Sequence, residues 1–155
     1  MILIHFTIEN NPFPILTFEE LSDSLNNSMK RILIIDNNTK LRLLLRQMLE
    51  QEGYEVIDAK DGKEGTKLYR QMPTDLVITD VVMPEKDGIE TIRELKRDFP
   101  NVKIIATSGS SRTLAAQYCL SAMKALGAEC VFTKPFGRKE MLDAVHELLD
   151  GIAVR

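Results

Sequence analysis

Two acidic residues close apolar runs of this chain and are well placed to do chemistry. Asp80 follows the run Leu76–Thr79, and Asp36 follows Arg31–Ile35. Apolar runs of this length, bounded by loop residues, are typical of buried strands in a parallel sheet. Open α/β sheets bind their ligands at the carboxyl ends of the strands. Two carboxylates at neighbouring strand ends therefore predict a site for a hard cation, with a nucleophilic oxygen beside it.

The elements that must position these residues alternate along the chain from residue 31. Short apolar runs predict five strands, and stripes of apolar residues at helical spacing predict an amphipathic helix after each one. This alternation indicates an α/β fold, in which helices cover both faces of a parallel sheet. The predicted strands span residues 31–36, 54–58, 75–79, 102–107 and 129–133, and the predicted helices run from Leu41 to a stop at Gly53 and over 62–72, 89–99, 112–126 and 137–150.

Composition limits the class of protein. The chain has 155 residues, enough for one ordinary domain, and its 44% hydrophobic and 28% charged content is typical of a soluble globular protein. No apolar stretch reaches the length of a membrane span, and the N-terminus lacks the features of a signal peptide. The two cysteines, Cys119 and Cys130, are interpreted as reduced packing residues. We therefore expect a cytoplasmic protein that does not interact with membranes.

Charge divides the chain near Met29. Residues 1–28 carry four acidic side chains and no lysine or arginine, whereas residues 29–155 have a net charge of +1 and no dense basic stripe. Nucleic-acid binding is therefore not expected. Residues 1–28 contain a weakly helical stretch that Thr17 and Glu20 could cap. This extension could dock its apolar residues on the domain or on a partner, or it could be a poorly ordered tail, which is the interpretation that terminal position favours.

Four separated motifs give residues 30–150 a family resemblance. They are Ile34-Ile35-Asp36, then Thr79-Asp80 followed by Met83-Pro84-x-x-Asp87-Gly88, then Thr107-Ser108-Gly109, and finally Thr133-Lys134-Pro135-Phe136. In this order and on five βα units, they resemble a response-regulator receiver domain, the phosphoacceptor module of two-component signalling. The resemblance implies a flavodoxin-like (βα)5 doubly wound sheet with strand order 2-1-3-4-5. It divides the chain into an N-terminal extension, 1–28, and a receiver domain, 29–155.

The resemblance also assigns roles that suit the chemistry of the residues. It implies that Asp80 is the phosphoacceptor, that Lys134 pairs with the phosphate and that Ser108 donates its hydroxyl to a phosphate oxygen. Thr107 precedes Ser108, but strand alternation directs it to the opposite face. Such a domain is not an enzyme in the usual sense, because it catalyses only its own phosphorylation and dephosphorylation.

The implied cofactor is Mg²⁺. The resemblance places it on Asp36, on Asp80 and on the backbone carbonyl of Val82. Many receivers have a second acid where this chain has Asn37, which could contribute only weakly, through its carbonyl or a water molecule. We therefore expect weaker Mg²⁺ binding, but not its loss.

The motifs also predict the local geometry of a peptide bond, a helix start and the fifth strand. By resemblance, Lys134-Pro135 is expected to be cis. Asp87 is interpreted as a helix N-cap and Gly88 as a tight turn. Many receivers have a switching aromatic residue in the fifth strand where this chain has Val131, and Phe132 falls on the alternate face.

The predicted function is a stand-alone receiver, because only five residues follow Asp150. Its expected donor is a histidine kinase or a histidine phosphotransfer protein. Its expected target binds the face made by the fourth helix, fifth strand and fifth helix. The alternative is a pseudo-receiver that is never phosphorylated, which Asn37 and Val131 favour. A flavodoxin-like cofactor binder is not expected, because this chain has no phosphate-cradling loop after the first strand. A haloacid-dehalogenase-like phosphatase is not expected either, because it needs a second aspartate at the position of Val82.

Overall fold

The sheet has five parallel strands. A computed structural model describes residues 29–83, 87–109 and 114–151, so the predicted extension 1–28, with its Thr17–Glu20 cap, lies outside the described residues. The spatial order of the strands is β2-β1-β3-β4-β5, which confirms the order that the resemblance implied. The strands are β1 Arg31–Ile35, β2 Glu55–Ala59, β3 Leu76–Asp80, β4 Ile104–Ser108 and β5 Cys130–Thr133.

Within the described residues, five helices connect and follow the strands. Acceptor side chains begin three of them: Asn38 accepts from the backbone N–H groups of Lys40 and Leu41, and Asp61 and Asp87 cap the next two helices. The N-cap predicted for Asp87 is therefore confirmed. The helices are α1 Thr39–Gln51, α2 Gly62–Gln71, α3 Gly88–Asp98, α4 Leu114–Ala125 and α5 Arg138–Asp150.

The fourth strand begins later than the sequence predicts. The predicted strand covers residues 102–107, but β4 spans Ile104–Ser108. The N–H of Val102 bonds to the carbonyl of Phe99 at 3.0 Å, in the turn that follows α3. The apolar character of Val102 reflects packing in this turn rather than membership of the ladder.

Two hydrophobic clusters pack against opposite faces of the sheet. One contains Leu45, Met48 and Leu49 of α1 together with Met141 and Val145 of α5. The other contains Tyr69, Ile92, Leu95 and Met123, which come from α2, α3 and α4. Strands β1, β3 and β4 lie between these layers and are buried almost throughout. The sheet is thus a rigid support whose carboxyl edge carries the predicted site residues.

Candidate functional site

Three predicted site residues meet at the carboxyl edge of the sheet. Lys134 Nζ lies 2.7 Å from Asp36 Oδ2 and 3.2 Å from Asp80 Oδ2. Asp36 follows β1 and Asp80 ends the adjacent strand β3, whereas Lys134 follows β5, which β4 separates from β3. The two carboxylates are buried, whereas the Lys134 side chain remains 23% exposed. The arrangement is a partly accessible cation held between two buried acids.

Backbone groups fix the second oxygen of each carboxylate. Asp36 Oδ1 accepts the N–H of Asn38 at 2.7 Å, just before α1. Asp80 Oδ1 accepts the N–H of Val81 at 2.8 Å. Because one oxygen of each acid is held by the backbone, the other oxygen is directed at Lys134.

Burial raises the pKa of the Asp80 carboxyl above its ordinary value, because the charged form loses its hydration. Lys134 opposes this shift and the negative charge of Asp36 adds to it, while the Val81 N–H lowers the pKa slightly. Asp80 therefore keeps a more basic, more poorly solvated carboxylate than a surface aspartate. Such a carboxylate gains from a cation or an electrophile beside it.

Ser108 ends β4, next to the strand that carries Asp80. Its side chain is buried, and its hydroxyl donates to the carbonyl of Gly109 at 3.3 Å. The backbone carbonyl of Ser108 accepts the N–H of Lys134 at 2.7 Å, which ties the two loops together. The Thr107 hydroxyl instead contacts the carbonyl of Thr79 at 3.5 Å, inside the sheet. Of the two hydroxyls, that of Ser108 remains at the strand end.

The oxygen donors at this edge fit a hard cation such as Mg²⁺. Asp36 and Asp80 supply the two carboxylates, and Val82, two residues after Asp80, is exposed. Asn37 is exposed beside Asp36 and is neutral. Among the described parts of the chain, no group of three or more His, Cys, Asp and Glu residues could hold a metal. Mg²⁺ needs no such cage, because it binds through one or two carboxylates and keeps several waters.

The structure adds a residue that the sequence did not reveal. Arg42 of α1 donates to the backbone carbonyl of Asp36 at 2.7 Å and to the Asp58 carboxylate at 3.0 Å. It therefore holds the β1–α1 turn in place behind the site. Its position on a helix face gave no signal, because an arginine there is ordinarily a solvated charge.

The structure gives a different reason for a glycine at position 88 than the predicted tight turn. A Cβ at this position would lie 2.1 Å from the carbonyl oxygen of Asp80 and 2.6 Å from Val81 Cα. Gly88 is the first residue of α3, and its N–H bonds to the carbonyl of Val81 at 2.9 Å. Close packing of α3 on β3, rather than a tight turn, requires the missing side chain.

Two further expectations at this edge are confirmed. The Lys134-Pro135 peptide is cis. In β5, Val131 packs on the α2–α4 side of the sheet, whereas Phe132 packs on the α1–α5 side against Phe136, with ring centroids 5.9 Å apart. The aromatic residue of this strand therefore faces away from the α4 side.

Comparison with known proteins identifies the family. The sequence profile of the response regulator receiver domain matches residues 32–146. The chain belongs to the response-regulator receiver family. The receiver is 33% identical over 120 residues to the chemotaxis protein CheY of Thermotoga maritima, and this match covers 77% of the chain and 97% of that relative.

Solved structures agree with this assignment. A CheY-like receiver domain protein from Methanospirillum hungatei JF-1 matches with a TM-score of 0.73 and 30% identity, over 80% of this chain and 96% of that one. The response regulator protein TrrA of Thermotoga maritima matches with a TM-score of 0.70 and 33% identity, over 78% and 100% of the two chains. That protein was solved in complex with Mg²⁺ and BeF. The fold of this receiver is therefore that of the two-component response regulators.

The helices of the described residues were compared with the length and hydropathy that a membrane span requires. None of the helices within residues 29–83, 87–109 and 114–151 is long and apolar enough to cross a bilayer.

Proposed function

We propose that this receiver accepts a phosphoryl group on Asp80 in a Mg²⁺-dependent reaction and signals by changing its contacts with other proteins. The observation that carries the proposal is the position of Lys134 between Asp36 and Asp80, at 2.7 and 3.2 Å. A carboxylate of raised pKa, an ammonium beside it and a hydroxyl at the end of the neighbouring strand β4 are groups that can form and stabilise an aspartyl phosphate.

The reaction exchanges one phosphorus bond for another. An Asp80 carboxylate oxygen bonds to phosphorus, and the bond from phosphorus to the donor's leaving group breaks, with its electron pair going to that group. For a phosphohistidine donor the leaving group is an imidazole nitrogen, so we propose a histidine kinase or histidine phosphotransfer protein as the donor. Lys134 and Ser108 pair with oxygens of the phosphoryl group. The product is an acyl phosphate on Asp80.

The residues at the sheet edge fit the metal that relatives of this family use. Asp36, Asp80 and the backbone carbonyl of Val82 would hold Mg²⁺, with Asn37 contributing through its amide oxygen or a water molecule. The bound metal supplies charge neutralisation for the transferring phosphoryl group. Because Asn37 is neutral, we expect the affinity for Mg²⁺ to be lower than in a receiver with a second acid there.

Phosphorylation would change the charge balance of the site. The phosphoryl group carries about −1.5 to −2 charges at neutral pH, so Lys134 would be drawn from the two carboxylates toward the phosphate. The backbone N–H of Lys134 donates to the carbonyl of Ser108, so a movement of Lys134 would displace the ends of both β4 and β5. We propose that the face of α4, β5 and α5 carries the change to a protein target, without an inward-facing aromatic residue in β5.

The competing function is a pseudo-receiver, an interaction module that keeps the fold without being phosphorylated. Asn37 is the observation that favours it, because it removes a charge from the metal site. The relationship between Asp80, Lys134 and Asp36 argues against it, since an interaction module has no need for a buried acid pair around an ammonium.

Beryllofluoride with Mg²⁺ separates these two functions, because it mimics a phosphoryl group on an aspartate without any turnover. We expect the backbone amide resonances of Val81, Ser108, Gly109 and Lys134 to shift when both reagents are added to the full chain. An Asp80→Ala variant should show none of these shifts, whereas Asp143→Ala, a surface control on α5, should show them all. Unchanged spectra of the wild-type chain at high Mg²⁺ would favour the pseudo-receiver.

A further inference from the structure

Arg42 of α1 uses all three nitrogens of its guanidinium group, each toward a different element. Nη1 donates to the backbone carbonyl of Asp36 at 2.7 Å, Nε to the Asp58 carboxylate of β2 at 3.0 Å, and Nη2 to the Thr39 hydroxyl at the start of α1 at 3.4 Å. The Arg42 side chain is only 14% exposed. An arginine with three fixed partners and so little exposure differs from the solvated charge that arginine usually is.

A second arginine holds the carboxylate on which Arg42 rests. Arg46, one turn later on α1, donates Nη2 to the other oxygen of Asp58 and Nη1 to the backbone carbonyl of Val56 at 2.7 Å. Burial alone would raise the pKa of Asp58, but its hydrogen bonds to Arg46 and Arg42 hold that pKa below its ordinary value. Asp58 is therefore an ionised and fixed partner at neutral pH, and it sets the position of the Arg42 guanidinium.

The carbonyl that Arg42 holds belongs to the peptide between Asp36 and Asn37, directly after β1. The N–H of Asp36 bonds on the other side to the carbonyl of Ala59 at 3.1 Å. Both backbone groups of Asp36 are thus fixed, one by the end of β2 and one by Arg42. The direction of the Asp36 side chain, whose Oδ2 lies 2.7 Å from Lys134 Nζ, depends on this backbone.

We infer that Arg42 is a positioning residue of the site: it fixes the peptide between Asp36 and Asn37 and thereby directs the Asp36 carboxylate at Lys134. Asp36 and Asn37 are also residues that would hold Mg²⁺, so the same contact sets the affinity for the metal. This second consequence rests on the proposed function, whereas the positioning of Asp36 does not. Arg42 acts through the backbone of Asp36.

The sign of the effect on Mg²⁺ separates positioning from simple charge. A positive charge near a metal site repels the cation, so loss of the Arg42 charge would by itself tighten Mg²⁺ binding. Loss of the fixed peptide would weaken it, because hydrogen bonds that orient metal ligands typically account for about 10- to 100-fold in affinity. Lysine keeps the charge but lacks the planar fork of donors. Arg42→Lys therefore isolates the geometry, and Arg42→Gln removes geometry and charge together.

The test compares these two variants with the wild-type full chain in two measurements. The first, made without metal, follows the side-chain ammonium signal of Lys134 by ¹H–¹⁵N NMR, assigned by its loss in Lys134→Arg. We expect this signal to shift in both Arg42 variants, because Asp36 no longer holds its place beside the ammonium. The second is calorimetric titration with Mg²⁺, in which the dissociation constant should rise about tenfold in both variants.

Arg31→Gln is the matched control. Arg31 also joins β1 to β2, through the Glu55 carboxylate at 2.7 Å, but it does so at the amino end of β1, away from the site. Whatever this variant does to the Tm, it should leave the Lys134 signal and the affinity for Mg²⁺ unchanged. The same result in the Arg42 variants would mean that Arg42 only ties α1 to β2, and it would overturn the inference.

A further result would also overturn the inference. Tighter Mg²⁺ binding by Arg42→Gln, with wild-type affinity in Arg42→Lys, would mean that Arg42 acts on the site as a charge. The NMR measurement needs neither metal nor phosphodonor. A wild-type chain that binds no Mg²⁺ would therefore refute the proposed metal site, while the Lys134 signal would still decide whether Arg42 positions Asp36.

Discussion

Lys134 forms ion pairs with both Asp36 and Asp80, so the three side chains together leave one net negative charge at the site. The two carboxylates of Asp36 and Asp80 carry two negative charges, of which the ammonium neutralises one. Because the acids are buried, removing one of them changes the free energy of the fold as well as the chemistry. Each residue of the site can therefore be tested by stability as well as by activity.

Asp80→Asn should stabilise the domain at pH 7. The raised pKa of Asp80 means that the folded state binds its proton more readily than the unfolded chain, so the ionised carboxylate opposes folding at neutral pH. The gain should be present above the raised folded pKa and should disappear as the pH falls through that value toward the ordinary 3.8. Thermal unfolding followed by circular dichroism at pH 7 and pH 4 measures it, and a rise in Tm of about 2–4 °C corresponds to ~1 kcal/mol.

Asp143→Asn is the matched control for this experiment. Asp143 pairs with Lys139 one turn away on the surface of α5, where an ion pair contributes little. Its Tm should change little at either pH. An Asp80→Asn variant that is less stable than the wild type at pH 7 would show that the pairing with Lys134 outweighs the cost of burial.

Asn37→Asp should strengthen Mg²⁺ binding. The substitution adds a carboxylate next to Asp36 at the exposed edge of the site, and ligand charge is a main determinant of affinity for hard cations. We expect the dissociation constant to fall by about tenfold, measured by calorimetric titration of the full chain. Asn38→Asp adds the same charge one residue further on, but the Asn38 side chain caps α1, so this control should change the affinity much less.

At the scale of elements, α3 approaches β3 without an intervening side chain. The Gly88 N–H bonds to Val81, and its Cα faces the backbone of Asp80. On the other side of the strand end, Arg42 holds the β1–α1 turn through the carbonyl of Asp36. The site is thus supported by backbone contacts of neighbouring elements, which fixes the carboxylates before any ligand arrives.

Gly88→Ala should move α3 away from β3 and destabilise the domain. The new Cβ would meet the Asp80 carbonyl oxygen at 2.1 Å, and backbone atoms cannot rotate away as a side chain can. We expect a loss of about 2–3 kcal/mol or more in chemical denaturation. Gly109→Ala is the control, because its Cβ would meet nothing within 4 Å. Equal stability of the two variants would contradict the close approach.

Most of the helices and strands could be predicted from the sequence. Apolar runs and helical stripes gave all five strands and helices to within two residues or so, because strands buried on both faces must be apolar throughout. The order of the motifs also predicted that Asp36, Asp80 and Lys134 meet at the carboxyl edge of the sheet, as they do. Arg42 and the packing role of Gly88 could not be predicted, since both depend on how a helix sits against a strand distant in sequence. The start of β4 was predicted too early, because the apolar residue Val102 packs in the turn after α3 and is not part of the strand.

At the scale of the whole molecule, one sheet separates two hydrophobic clusters. Ile34 of β1 belongs to the cluster under α1 and α5, and its neighbour Leu33 belongs to the cluster under α2, α3 and α4. Since alternate residues of the same strands enter both clusters, neither cluster can be lost while the other remains packed. The domain should therefore unfold as a single unit.

Met141→Ala and Leu95→Ala test this cooperativity from the two sides of the sheet. Both side chains are almost fully buried, so each truncation should cost about 2–5 kcal/mol. Far-ultraviolet circular dichroism and tyrosine fluorescence should give coincident unfolding curves for each variant. Separate transitions by the two probes would mean that the clusters fold independently.

Phosphorylation of Asp80 is tested most directly by the intact mass of the protein. The full chain is incubated with acetyl phosphate and Mg²⁺, beside Asp80→Asn and an Asp143→Asn control. A gain of one phosphoryl group is expected in the wild type and in Asp143→Asn, lost in Asp80→Asn and lost when Mg²⁺ is chelated. An unmodified wild-type mass at high Mg²⁺, or the same gain in Asp80→Asn, would show that Asp80 is not the phosphoacceptor.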